Sequence, residues 1–300
     1  MIFRREAVRL LGAATAATLC AAQSRSMIHF LAAKPAKDDQ VTPVLAPGAP
    51  TSPERLALIE TFRKESEGLE KKFEARTYKS DWEMPYRLFR PEVASGRLPL
   101  VVYLHGSGGL GDDNLKQLAL GNIFGTRMWL LPRNQNAFPC YVLAPQTGRG
   151  WSKYDFSQDT PKELPGFGDG ARMALEIVDH VAQELPIDER RIYITGQSMG
   201  GAGTWNVIAN RPGFFAAAVI CCGSVSSENG TESPKTPLWN FHGDADKSVP
   251  VSLSRARIAA RRKAGGKPLY TEYAGVDHNS WQWAYTEPEL VKWVFAQRRS

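Results

Sequence analysis

The 300-residue chain is poor in cysteine and histidine, with four and five residues respectively. Cys20 lies in an N-terminal segment read below as removable. Cys140, Cys221 and Cys222 then remain, an odd set without metal-ligand spacing, which defines neither a disulfide framework nor a zinc site. Cys221 and Cys222 sit in the run AAAVICCG and read as small buried strand residues. No apolar run reaches the roughly 20 residues needed to span a bilayer, which argues against stable membrane insertion. Internal repeats are absent, as is the Walker phosphate-binding pattern. The formal charge of +6 is partly carried by Arg4, Arg5, Arg9 and Arg25 in the removable segment. The remaining basic residues are scattered, except for Arg255, Arg257, Arg261, Arg262 and Lys263 on one expected helix. That helix reads as a solvated face, because no aromatic stacking residues accompany it, so no nucleic-acid partner is expected.

What is present has globular proportions: 43% hydrophobic and 23% charged residues, close to ordinary soluble usage. Residues 1–26 read MIFRREAVRLLGAATAATLCAAQSRS, in which an arginine pair, an apolar alanine-rich run and small residues follow the order of an export signal. Arg4-Arg5 resembles a twin-arginine pair, so the protein is expected outside the cytoplasm, periplasmic or secreted. Residues 27–53, with several Pro, Ala and Thr and no period, are expected to form a flexible leader to a catalytic domain over 54–300.

From residue 75 short β-branched runs alternate with longer amphipathic ones. LPLVVYLHG, CYVLAPQ, RIYITG, AAAVICCG, PLWNFHG and LYTEYAG read as strands, with helices near 170–185, 199–210, 250–264 and 283–298. Such alternation predicts an α/β fold with a mainly parallel twisted sheet, helices on both faces. An antiparallel hairpin is expected in front, around ARTYKS and MPYRLFRPE.

Gly196-Gln197-Ser198-Met199-Gly200 falls between a strand and a helix. A bare GxSxG arises by chance in roughly one in ten chains of this length, so the context carries the signal. A serine on a strained turn there would hold its hydroxyl clear of the sheet. Its partners must follow in the order acid, then histidine. Asp246, beyond the strand PLWNFHG, is the better acid; Asp244 reads as a turn cap. His278, in the loop after LYTEY, is the base, whereas His29, His105, His180 and His242 read as surface or packing residues. His105-Gly106-Ser107-Gly108-Gly109 suits an oxyanion loop, with Ser107 and Met199 as amide donors.

Together HGSGGLGDDN, GQSMGGAGTW, HGDADKSVP and GVDHNSW resemble the phospholipase/carboxylesterase branch of the α/β hydrolases, especially exported peptidase-like and feruloyl-esterase-like proteins. The likeness spans about residues 75–298. It implies the α/β-hydrolase fold, with Ser198, Asp246 and His278 as triad and Ser107 and Met199 as oxyanion donors. The implied reaction is acyl transfer from an ester through an acyl-enzyme, for which no metal or organic cofactor is needed.

Between AAAVICCG and PLWNFHG there is no room for a large lid domain. The segment from Gln146 to Gly170, with Trp151, Tyr154, Phe156 and Phe167, is expected to wall the pocket, with Trp151 and Gln197 touching substrate. That wall suits aryl, feruloyl or acetyl esters, small or polysaccharide-linked. A peptidase or polyester depolymerase with the same triad is the alternative. A binding protein on this fold would be expected to lose a triad member, and none is lost.

Overall fold

The computed structural model describes residues 44–45, 50–92, 96–155, 162–224 and 234–299. The expected export signal lies outside these residues, as does most of the expected leader. Two parts of that leader are tied down: β1 (Val44–Leu45) adds to the edge of the main sheet, and the Pro50 carbonyl accepts the Trp283 indole N–H at 2.8 Å.

The main sheet follows from runs that are apolar on both faces. Its strands are β1, β2 (Glu74–Lys79), β3 (Glu83–Phe89), β4 (Leu98–Leu104), β5 (Tyr141–Pro145), β8 (Ile187–Gln197), β9 (Ala217–Cys221), β10 (Leu238–Gly243) and β11 (Leu269–Tyr273). They lie in the order β1-β11-β10-β9-β8-β4-β5-β3-β2, parallel from β1 to β5 and antiparallel in the β5-β3-β2 hairpin. The period of two distributes each strand between two cores. Leu100, Val102 and Leu104 face one; Val101 and Tyr103 face the other. On the first face pack α4 (Asp169–Glu184), through Met173, Ile177 and Val181, and α5 (Met199–Asn210), through Trp205 and Ile208; α6 (Val251–Lys263) adds Ile258. The second face is covered by α1 (Pro53–Glu65), through Ile59 and Phe62, by Phe124 of α2 (Asn122–Arg127), and by the C-terminal helices.

Several expectations need correction. The basic residues of α6 are not all solvated: Arg257 and Arg261 are buried, Arg257 over the Trp205 ring and Arg261 donating to the Thr236 carbonyl, while Arg262 and Lys263 remain exposed. The helix expected over 283–298 is two, α7 (Trp281–Ala284) and α8 (Leu290–Ala296), because Pro288 lacks an amide donor and disfavours helix in the residue before it. Residues 105–140, which show no helical period, hold α2 and α3 (Pro132–Ala137). The segment expected as an aromatic loop contains a two-stranded antiparallel sheet, β6 (Ser152–Asp155) and β7 (Lys162–Phe167); Phe156 lies outside the described residues.

Candidate active site

β8 ends at Gln197 and α5 begins at Met199, so Ser198 alone must turn the chain. It does so at φ 53° and ψ −121°, a strained conformation for a residue with a side chain. Backbone bonds hold it there: its N–H donates to the Cys221 carbonyl and its carbonyl accepts the Ala202 N–H, both at 2.9 Å. The flanking glycines are required by close approach. A Cβ at Gly200 would lie 1.9 Å from the Leu104 carbonyl oxygen, and one at Gly196 would lie 2.3 Å from the Gly200 oxygen. α5 can therefore start directly against the end of β4.

Ser198 Oγ lies 2.8 Å from His278 Nε2, and His278 Nδ1 lies 2.7 Å from Asp246 Oδ2. Asp246 sits in the turn after β10, where its Oδ1 accepts the amides of Ser248 and Val249, each at 2.8 Å. Burial opposes its charge, but hydrogen bonds from His242 and His278, the charge of His278 and the Val249 amide outweigh that cost and hold the carboxyl well below the usual carboxylate range. Asp244 faces elsewhere: its Oδ1 accepts the Gly275 amide at 2.6 Å, tying the β10 turn to the β11 turn. The structure thus brings Ser198, His278 and Asp246 into one hydrogen-bonded line and leaves Asp244 a local brace.

The loop after β4 runs beside Ser198; a Cβ at Gly106 would lie 3.6 Å from the Ser198 Cβ. The Gly106 amide is taken by Asn122 Oδ1 at 3.1 Å, which also accepts the Tyr103 hydroxyl at 2.8 Å. Ser107 opens a short 3-10 turn and Met199 opens α5, and first-turn amides have no acceptor within their own helix. Residues 106–111 do carry a G-x-G-x-x-G spacing, which suggests a phosphate cradle. The geometry of one is missing, because no helix follows directly; α2 begins only at Asn122.

Trp151 is not a wall of the site. It is fully buried, its indole N–H donates to the His105 carbonyl at 2.9 Å, and Gly203 of α5 is pressed against it, with a Cβ there only 2.3 Å from the Trp151 Cβ. The freedom expected from Gly148-Arg149-Gly150 folds the indole beneath the β4 loop, where the apolar ring leaves water and its one donor finds a backbone acceptor. Gln197 is also buried, at 3% exposure, with Oε1 lacking a hydrogen-bond partner among the described residues. The half-exposed ring beside His278 is Trp281, centroids 5.5 Å apart and nearly perpendicular.

Two histidines expected only to pack make ring hydrogen bonds beside the site, and one of them reaches Asp246. His105 places Nδ1 2.8 Å from the Gly106 carbonyl and accepts the Thr147 amide on Nε2, so it is the Nδ1–H tautomer. Burial pushes it down to about 4, despite the Gly106 carbonyl, and keeps it neutral. His242 places Nε2 3.1 Å from Asp246 Oδ2. The available signal was spacing: each histidine ends a strand ahead of glycine, and His242 stands four residues before Asp246.

Cys222, Asp246 and His278 offer ligand atoms within 4.8 Å of one another. Their chemistry does not suit a metal. Burial, reinforced by the charge of Asp246, pushes the Cys222 thiol up; Asp246 already accepts four donors; and both His278 nitrogens are engaged. Burial likewise pushes Cys140 up to about 12, so it is an inert core thiol.

Residues 91–286, more than half the chain, match the sequence model of the phospholipase/carboxylesterase family. The chain belongs to that family. Among solved structures this family member is similar to a thermostable esterase, 38% identical with a TM-score of 0.70, over 77% of this chain and 64% of that one. It is 24% identical to a protein named probable carboxylesterase in Arabidopsis thaliana, over 60% of this chain and 72% of the other. It is 26% identical to a bifunctional acetylxylan esterase/xylanase of Neocallimastix patriciarum, over 53% of this chain and 21% of that protein. The chain therefore spans about a fifth of that relative and just under two thirds of the thermostable esterase. No described helix is long and apolar enough to cross a membrane.

Proposed function

We propose that the protein is a serine carboxylic-ester hydrolase in which Ser198 is the nucleophile, His278 the general base and Asp246 the orienting acid. The observation that carries this reading is the continuous hydrogen-bonded line from Ser198 Oγ through His278 to Asp246, at 2.8 and 2.7 Å, starting from a serine held at φ 53°. Ser198 Oγ attacks the ester carbonyl carbon while His278 Nε2 takes its proton. The carbonyl oxygen gains charge opposite the Ser107 and Met199 amides, each typically worth about 3 kcal/mol of transition-state stabilisation. Asp246 holds the imidazolium in orientation, and His278 then protonates the departing alcohol. Water, deprotonated by the same nitrogen, attacks the acyl-enzyme and releases the acid.

For the substrate, the name of the Neocallimastix relative supports an acetyl ester on a polysaccharide. A feruloyl ester loses its first support with Trp151 buried, and among the described residues Trp281 is the ring against the base, partly exposed. A peptidase or polyester depolymerase would use the same groups; a panel of acetylated xylan, feruloyl esters, peptide amides and an aliphatic polyester ranks the four. Ser198→Ala is expected to lower nitrophenyl acetate turnover by about 10⁵-fold or more while the protein stays folded, and to abolish labelling by a fluorophosphonate. Retention of a tenth of the activity would remove Ser198 from the role.

Export is the second part of the reading. Mass spectrometry of protein recovered outside the cytoplasm is expected to find the first twenty-odd residues missing, since Ala21 and Ala22 end the apolar run as cleavage sites do. Replacing Arg4 and Arg5 by lysine blocks export if the route is twin-arginine.

A further inference from the structure

His242 belongs to none of the roles above, yet it is fully buried at the end of β10 against the proposed acid. Its Nε2 lies 2.9 Å from the Val249 carbonyl and 3.1 Å from Asp246 Oδ2, and both are acceptors only. Nε2 must therefore carry the proton and share it between them. Nδ1 meets the Ser254 hydroxyl at 2.7 Å, and that hydroxyl can donate to a bare nitrogen or accept from a protonated one. The ring is thus clamped at both ends by one side chain of α6 and one turn carbonyl.

The consequence falls on Asp246. Its Oδ1 is filled by two amides, and its Oδ2 receives two imidazole N–H groups, from His278 at 2.7 Å and from His242 at 3.1 Å. With both oxygens held, the carboxylate cannot rotate away from His278. We propose that His242 is a positioning residue for the Ser198–His278–Asp246 site, fixing Asp246 Oδ2 in line with His278 and dividing the carboxylate's charge between two rings. This rests on the proposed triad. Among the described residues, the other titratable groups facing the pair are Glu272, in register with His242 on β11 and itself bonded to Arg255 and Tyr270, and the Cys222 thiol beyond β9, while the exposed Asp277 beside His278 accepts the His278 and Lys247 amides. Glu272 is occupied by those partners and bonds neither histidine.

Without the His242 donor, Asp246 directs more of its charge at His278, so the imidazole holds its proton to higher pH and the base form is lost earlier on acidification. His242→Leu is expected to lower kcat on nitrophenyl acetate by about tenfold with KM nearly unchanged, and to move the acid limb of the kcat/KM profile upward by about half a pH unit. His242→Gln, whose amide reaches the same position as Nε2, should restore kcat to within about threefold and return the limb. Equal impairment of folded Leu and Gln variants with an unmoved limb would reduce His242 to a space filler. If His242→Leu does not fold, Ser254→Ala decides, because it frees the ring without removing it. Its acid limb should move the same way by less, and an unmoved limb overturns the proposal. Asp246→Asn run alongside separates the two levels: an active Asp246→Asn sinks the triad itself, whereas a dead one beside an unaffected His242 series sinks only the positioning role.

Discussion

His105 and His242 carry the same local signature, a buried histidine at the C-terminal end of a parallel strand ahead of glycine, and they are wired oppositely. His105 spends both ring nitrogens on backbone, the Gly106 carbonyl and the Thr147 amide, with its edge against the Trp151 ring, and so shapes a loop. His242 reaches the Asp246 and Ser254 side chains as well as one carbonyl, and so shapes a charge. One is held neutral by burial; the other stands against a carboxylate held charged. A strand end supplies the same geometry to each, and the first polar group it meets decides which job the ring does.

The largest effect expected of this comparison lies on the charged side. Asp246→Asn removes the negative charge and puts an NH2 donor where one of the two filled acceptor oxygens stood, so His278 loses its orientation, at a cost of about 10³–10⁴-fold in kcat. Asp244→Asn, two residues away, can still accept the Gly275 amide and should stay within about threefold. Steady-state kinetics on nitrophenyl acetate, with thermal unfolding as control, checks both. If Asp244→Asn is the more damaging, the acid has been misassigned.

Most of the fold was legible because most sheet strands past the first hairpin are short apolar runs with turn residues at both ends, β8 adding a charged start, Asp188 to Arg191, to its apolar half, and α5 follows a serine between glycines. That Ser198, Asp246 and His278 come together was readable for a related reason: chain order and strand ends restrict which side chains can meet at one sheet edge. Trp151 was not legible. An aromatic residue after Gly-Arg-Gly at a sheet edge can turn outward to a ligand or inward to the core. What decides is a free carbonyl at His105 and a gap over Gly203, and neither is visible in one dimension. β6 is four residues with a single aromatic, and Pro165 and Gly166 interrupt any alternation in β7, so neither carries a strand signal.

The neutral side gives the next effect. Trp151→Phe keeps most of the buried ring but removes the donor to the His105 carbonyl, leaving a buried acceptor unpaired at a cost of about 1–3 kcal/mol. If the indole only supports the β4 loop, kcat/KM should fall by about tenfold alike on nitrophenyl acetate and on a feruloyl ester. A loss confined to the feruloyl ester would return Trp151 to the substrate.

The last effect is in stability, spread over a wide pH range, and its sign separates the two regions most cleanly. His105 is pushed down to about 4 in the folded protein by burial, from an ordinary value near 6.5, so the unfolded chain binds the extra proton first as pH falls. Its contribution is complete above about pH 6.5 and declines as pH falls toward about 4, at most about 1.4 kcal/mol per pH unit or roughly 3 kcal/mol across the window. Asp246 is depressed in the other sense of charge: its contribution is complete above about pH 4 and is lost only below that, as the buried carboxylate is protonated. Urea unfolding midpoints measured from pH 8 to pH 3 should therefore fall in two stages. His105→Gln is expected to flatten the stage between about pH 6.5 and 4 whatever it does to stability at pH 8, and Asp246→Asn should spare that stage and reduce the lower one, which it shares with other lowered carboxyls such as Asp113, Asp188 and Glu272. If both variants change the same stage, the two histidine ends are not separately wired, and the division of the site into a neutral loop side and a charged acid–base side fails.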